Sequence, residues 1–286
     1  MQRKQAPPES LPISRRPSFW LSVARWIASG VNSVAHFIPL LIASLFSRRL
    51  AWTIYRHWGR YTFRIFGITL SLRDDNQSRA QSEPDATPHL YVWLNQSSLV
   101  EAVAFAQLLP RWYTIGNIEY ALMPLLGWAL ALTGNIVIVR QWKWQAKRGI
   151  ERAATRLGRG ENWLISIEGA RSPDGRLLPY KKGPAVMALR SQATIIPMFV
   201  HGARDVLPHG EWRVRPGHIA VHLHEAIPTR GLSYEDRGAM LERLRALAER
   251  EFRQTQATWA AGASGSPATL PVLDRQARGL RSSQLG

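Results

Sequence analysis

Leu164-Ile165-Ser166-Ile167-Glu168-Gly169-Ala170-Arg171-Ser172 joins an apolar run to a charged turn. Residues 163–167 are short, apolar and rich in Ile, which predicts a buried strand. The run stops at Glu168-Gly169-Ala170-Arg171 and enters Ser172-Pro173-Asp174-Gly175, a turn sequence. Gly169 permits close backbone approach at that end, and Arg171 offers a planar fork of donors suited to phosphate oxygens. The alternative is a strand end with an exposed Glu–Arg pair, which is common and weak. Ligands of open α/β sheets gather at the carboxyl ends of strands. The stretch is therefore expected to be the central strand of a mainly parallel sheet, with Glu168 and Arg171 at its functional edge.

Outward from there, strand and helix patterns alternate. Upstream, residues 90–94 form a strand pattern that runs into Asn95-Gln96-Ser97-Ser98, a helix-start sequence. A helix over 101–109 stops near Pro110. Residues 120–139 carry no charge, but Pro124, Gly127, Gly134 and Asn135 interrupt them, so a buried helix followed by a β-branched strand is expected rather than a span. A basic amphipathic helix covers 141–158. Downstream, a helix over 181–190 precedes strands at 195–200 and 219–223, the second with alternating His218, His222 and His224. Ser233 and Asp236 form a capping-box pair before a helix with Leu241, Leu244 and Leu247 on one face. The expected class is α/β, a mainly parallel sheet flanked by helices.

The flanks differ in character. Residues 1–17 are polar, basic and Pro-rich, and read as disordered; no small-residue cleavage pattern marks a signal peptide. Residues 18–66 read as a membrane-associating helical segment. The uncharged stretch 31–46 is short for a span of about 20 residues, so interfacial or re-entrant helices compete with one transmembrane helix. Residues 1–60 hold nine basic residues against Glu9 alone, interleaved with Trp20, Trp26, Trp52 and Trp58. Basic charge plus interfacial Trp suits an anionic leaflet. The domain proper spans 67–255, and 256–286 reads as a disordered tail.

The whole chain has 286 residues, a formal net charge of +17 and 12 Trp. Such a balance favours anionic partners. Nucleic acid is not expected, because no recognition motif appears and much of the charge lies beside apolar helices. There is no Cys, which excludes disulfides and thiolate chemistry.

Four blocks occur in a fixed order: residues 95–101 (Asn-Gln-Ser-Ser-Leu-Val-Glu), 134–140 (Gly-Asn-Ile-Val-Ile-Val-Arg), 168–172 trailed by Tyr180-Lys181-Lys182-Gly183, and Ile195-Ile196-Pro197-Met198. This order resembles the glycerolipid acyltransferase family, the lysophosphatidic acid acyltransferase-like proteins with a PlsC-type domain. The resemblance implies transfer of a fatty acyl group from an acyl thioester, acyl-CoA or acyl carrier protein, to a lysophospholipid or similar lipid hydroxyl at the cytoplasmic face of the inner or plasma membrane. It implies no bound cofactor and no metal. It makes positions 96 and 101 catalytic, and Asn95, Ser98, Arg140, Glu168, Gly169, Arg171 and Lys182 substrate-binding. In the family the first block reads Asn-His-x-Ser-x-x-Asp, the His acting as general base oriented by the Asp. Here those positions are Gln96 and Glu101. A carboxamide does not titrate near neutral pH, and a lost general base typically costs ~10²–10⁴-fold in rate. The third block also departs, with Ser166-Ile167 for the usual Phe-Pro and Ala170 for Thr. Glu101, raised in pKa by burial, is the replacement base the residues suggest; His201 and His209 are the other candidates, while His89 falls at the far end of its strand. A catalytically inactive lipid-binding or assembly protein on the same scaffold is the alternative.

Overall fold

The computed structural model describes residues 17–76, 88–121, 133–139 and 142–261. Two long helices come first, α1 (Phe19–Phe46) and α2 (Arg48–Phe66), then β1 (Ile68–Asp74), β2 (His89–Trp93), α3 (Val100–Leu108), β3 (Ile115–Asn117), α4 (Ile118–Ala121) and β4 (Ile136–Ile138). There follow α5 (Lys143–Leu157), β5 (Trp163–Ser166), α6 (Gly183–Ser191), β6 (Thr194–His201), α7 (Ala203–Val206), β7 (Gly217–Leu223), a 3₁₀ turn (Tyr234–Asp236) and α8 (Arg237–Ala261). The Ser233–Asp236 capping box is present, and opens that 3₁₀ turn rather than α8 itself.

The main sheet runs in the order β1-β7-β6-β2-β5. All neighbours are parallel except β6 and β7. The expected α/β class therefore holds, but the position of the quoted strand does not. β5 ends the five-stranded sheet instead of lying at its centre. Among the described residues its outer side is extended only by a single parallel bridge from Tyr113 to Trp163, which leads toward the small β3–β4 sheet. β5 is buried on both faces nevertheless: Trp163 and Ile165 pack under α5 and α6 in one of two core layers, and Leu164 faces the other. The other layer lies under α2 and α3 and includes Phe63, Phe66, Trp93 and Phe105.

The helical segment is not separate from this core. α2 supplies Phe63 and Phe66 to it, and the Arg56 guanidinium donates to the carbonyls of Ala106, Gln107 and Leu109 at the end of α3. Gly67, at φ 71°, turns the chain from α2 into β1, a conformation that disfavours any side chain. α1 is one unbroken helix through Pro39. At 28 residues it is long enough to cross the ~30 Å hydrocarbon core at 1.5 Å per residue. Its polarity is inverted relative to a soluble helix. Ser22 and Ser29 are buried, Asn32 Nδ2 donates to Trp58 O and Thr62 Oγ1, and Trp58 Nε1 donates to Ser33 Oγ at 3.0 Å. The outer face carries Val31, Ile38, Leu45 and Phe46, 59–83% exposed.

Two other expectations shift. α8 continues to Ala261, into the stretch expected to be disordered from 256 onward, while 262–286 lie outside the described residues. The expected buried helix between 120 and 135 falls almost wholly on residues outside the description, as does Arg140; the strand after it, β4, joins β3 rather than the main sheet.

Candidate active site

The carboxyl ends of β2, β5 and β6 are stitched together just past the last ladder bonds. Leu94 N donates to Met198 O and Ile167 N to Trp93 O. Asn95 continues the pairing with its side chain: Nδ2 donates to Val200 O at 2.7 Å, and Oδ1 accepts from Val200 N at 2.9 Å. The carboxamide thus imitates a peptide unit and fixes where the strand turns. Ser98 Oγ is buried and donates to Leu207 O at 2.7 Å, tying the first-block loop to the segment after α7.

The first and third blocks interlock through Glu168. Its Oε2 accepts from Gln96 N at 2.8 Å and its Oε1 from Leu178 N at 2.5 Å. Ser172 N returns a bond to Gln96 O at 2.7 Å, and Lys181 N donates to Ile167 O at 2.8 Å. Glu168 is therefore a clamp between two loops 72 residues apart in sequence. Burial pushes its pKa up to about 7, against the backbone N–H bonds and the Arg245 charge that pull it down. Gly169 follows with φ 66°, which lets the chain leave β5 sharply and brings its Cα under Lys181.

Glu101 lies in the first turn of α3 and is fully buried. Its carboxylate faces its own loop: Ser97 Oγ donates to Oε1 at 2.6 Å, and Ser97 N lies 3.2 Å from both oxygens. Those bonds favour the charged form, as does a helix N-terminus. Desolvation outweighs them and pushes the pKa up to about 8, with a smaller contribution from the Glu168 charge. The longer Glu side chain thus bonds the residue after Gln96. The Gln96 carboxamide has no hydrogen-bond partner among the described residues and is half-buried.

Arg171 sits next to Ser172 and hence beside Gln96; its guanidinium is half-buried and has no hydrogen-bond or ion-pair partner among the described residues. Lys182 is exposed at the N-terminus of α6, where backbone N–H groups also face outward. The structure thus brings Gln96, Glu101, Glu168, Gly169, Arg171 and Lys182 to one sheet edge, with Asn95 and Ser98 holding the frame. His201 is tied up elsewhere, facing Glu251 on α8 at 3.5 Å. His89 begins β2, at the opposite end from Gln96.

Sequence reasoning missed three contributors. Ser97 occupies a variable place within the first block, and only its bond to Glu101 singles it out. Tyr180 Oη donates to Leu94 O at 2.9 Å, beneath the clamp. Arg245, on α8, donates to Leu178 O at 2.8 Å and stacks on Tyr180, holding the segment that Glu168 grips. Nothing in its neighbourhood in the sequence points 67 residues back.

The comparisons agree with this geometry. Residues 83–201 match the Acyltransferase family model. The chain is 27% identical over 214 residues to a 1-acyl-sn-glycerol-3-phosphate acyltransferase of Chlamydomonas reinhardtii, covering 74% of this chain and 61% of that protein. It is 29% identical to the human 1-acyl-sn-glycerol-3-phosphate acyltransferase alpha, covering 63% of this chain and 62% of the other. The chain thus spans less than two thirds of the length of either relative. The fold is similar to the crystal structure of the 1-acyl-sn-glycerophosphate (LPA) acyltransferase PlsC from Thermotoga maritima, with a TM-score of 0.67 at 19% identity, covering 82% of this chain and 95% of that one. Residues 83–201 thus match the Acyltransferase family model, and the block order, the similarity to 1-acyl-sn-glycerol-3-phosphate acyltransferases and the PlsC-like fold support a PlsC-type glycerolipid acyltransferase domain.

Proposed function

We propose that this protein is a membrane-associated acyltransferase that moves a fatty acyl group from an acyl thioester to the hydroxyl of a lysophospholipid or similar lipid, with a Gln–Glu pair in place of the His–Asp dyad. The observation that carries the reading is the shared strand edge. There Arg171 and the Gln96 carboxamide, neither with a partner among the described residues, stand beside a buried carboxylate, Glu101, held by the Ser97 hydroxyl and the Ser97 and Ser98 backbone N–H groups. Arg171 and Lys182, with Arg140 from the second block, take the acceptor phosphate. Asn95, Ser98, Glu168 and Gly169 shape the pocket rather than touch the lipid.

The chemistry follows from the proton positions. The acceptor hydroxyl gives its proton to Ser97 Oγ as Ser97 passes its own to Glu101. The acceptor oxygen attacks the thioester carbonyl, and Gln96 donates to the oxyanion. The new C–O bond forms, the C–S bond breaks, and the thiolate of coenzyme A or acyl carrier protein leaves with the proton from Glu101. General-base assistance of this kind is worth ~10²–10⁴-fold. Ser97→Ala removes the hydroxyl that both relays the proton and stabilises the charged carboxylate. The expected result is a several-fold or greater fall in turnover, with the rising limb of the pH–rate profile displaced upward. A profile that does not move would exclude Ser97 from the relay.

A lipid-binding protein without turnover is favoured by one observation, the non-titrating Gln96. Lipidomics of a deletion strain against its parent separates the two: accumulation of a specific lyso-lipid supports the enzyme, and an unchanged lyso-lipid pool supports the binding protein.

Membrane attachment rests on the inverted α1. Its buried serines and exposed branched residues suit an apolar surround, while the basic residues of 1–60 suit an anionic leaflet on the cytoplasmic side. Deleting 1–46 removes α1 and leaves Arg56, Phe63 and Phe66 in the core. The truncated protein is expected in the soluble fraction, and 1 M salt is expected to leave the full-length protein on the membrane. Complete extraction by salt would show that attachment is electrostatic alone.

A further inference from the structure

On the sheet face opposite α3, β7 presents His222 and, just past its end, His224. Asp75, just past β1, lies beside them, and α8 lays Glu251 across the top. Asp75, His222 and His224 each offer a ligand atom within 4.8 Å of the others. His222 reaches Asp75 Oδ2 with Nε2 at 2.7 Å and Glu251 Oε1 with Nδ1 at 3.3 Å. His224 Nε2 lies 3.8 Å from the same Glu251 oxygen, and His201 Nε2 lies 3.5 Å from the other. Arg73 Nε holds the second Asp75 oxygen at 3.1 Å.

Two features do not fit a plain network of hydrogen bonds. His224 is 6% exposed, yet its Nε2 is a buried nitrogen without a hydrogen-bond partner. Such an atom carries an uncompensated desolvation cost unless something occupies it. In addition, the His222 and His224 ring centroids are 3.9 Å apart, too close for both rings to carry charge comfortably. Two imidazoles facing one another and two carboxylates form a donor set that a divalent cation neutralises.

We propose that Asp75, His222 and His224 bind a divalent transition-metal ion of the zinc class. His222 ligates through Nε2, the nitrogen now bonded to Asp75, and donates its Nδ1–H to Glu251. This is the arrangement in which a carboxylate behind a ligating imidazole fixes its tautomer and raises its basicity. Imidazole with carboxylate suits zinc, copper, cobalt or nickel over calcium or magnesium. The metal locks α8 to β1 and β7. Arg245, which grips the site loop at Leu178, lies six residues earlier on the same helix. The ion therefore acts on the acyltransfer site by position and does not touch substrate.

The test uses the full-length protein purified in detergent, stripped with EDTA and titrated with ZnCl2 and CoCl2. The expected result is one tightly bound equivalent, a rise in Tm with Zn²⁺, and a cobalt spectrum with the intense visible bands of four-coordination. His224→Asn and Asp75→Asn are expected to lose that equivalent, and Glu251→Gln to weaken it roughly 10–100-fold, as outer-shell changes do. If a variant does not fold, the wild-type stoichiometry and cobalt spectrum decide alone. Wild type that takes up no equivalent, a six-coordinate water-like cobalt spectrum, or undiminished binding in a folded His224→Asn each overturns the site.

Discussion

Replacing Glu101 with Gln is expected to lower acyl transfer by ~10²–10⁴-fold while leaving the fold intact. The substitution keeps the volume and an acceptor oxygen for Ser97, and removes only the site that accepts the proton. It also separates function from stability with an unusual sign. Both Glu101 and Glu168 are raised above 4.5 on folding, to about 8 and about 7. Groups raised in this way favour the fold fully below the unfolded value, and that contribution is lost as pH rises through the folded values. Wild-type Tm should therefore fall between pH 4.5 and 8. Glu101→Gln carries no such charge, so at pH 8–9 the variant should melt at or above wild type while being inactive. An inactive variant that also melts far below wild type at pH 9 would mean that the carboxylate is needed for structure. A variant that retains activity would remove Glu101 as the base and leave His209 as the candidate among the histidines first considered, since His201 is engaged on Glu251.

Restoring His at position 96 is expected to change the pH at which the enzyme works. With Glu101 as base, wild-type turnover rises with pH through about 8, because only the ionised carboxylate accepts a proton. Gln96→His places an imidazole, with a usual pKa of about 6.5, at a position whose side chain has no partner among the described residues. The rising limb should move toward that value, and the rate near pH 7 should increase by up to the ~10²–10⁴-fold of general-base catalysis. Gln and His are similar in reach, and the Gln96 backbone bonds to Glu168 and Ser172 do not involve the side chain, so the fold should survive. An unmoved limb would show that position 96 lies outside the proton path. Activity appearing only in Gln96→His, above an inert wild type, would identify a lipid-binding descendant whose scaffold still accepts both substrates.

Much of the architecture was legible in the chain because its signals are local. The Ile-rich run before Glu168, the alternation around His222, the Gly67 break and the Ser233–Asp236 cap each act within a few residues of themselves. The expected strands at 90–94, 195–200 and 219–223 therefore fall within a residue or two of those observed. The four blocks likewise carried the acyltransferase resemblance that residues 83–201 bear out, because their order along the chain is itself the signal.

The sheet order was not legible. β5 has the composition of a central strand and is as buried as one, yet it ends the sheet, because α5, α6 and the Tyr113 bridge supply the cover that a neighbouring strand would have given. Strand composition reports burial, and burial has more than one source. The roles within the site were decided the same way. Asn95 and Glu168 look like ligand-facing residues in sequence, but in space their polar atoms are spent on Val200, Gln96 and Leu178. The sequence by itself determined which groups could do chemistry and on which strand ends they stand. Only the tertiary structure decided which of those groups are satisfied by backbone, which are left open to a substrate, and that Glu101 is dry enough to hold a proton near neutral pH. Ser97 reaches Glu101 from four residues away, but the bonds that lock Asn95 to Val200 and Glu168 to Gln96 span 105 and 72 residues, and no local pattern carries them.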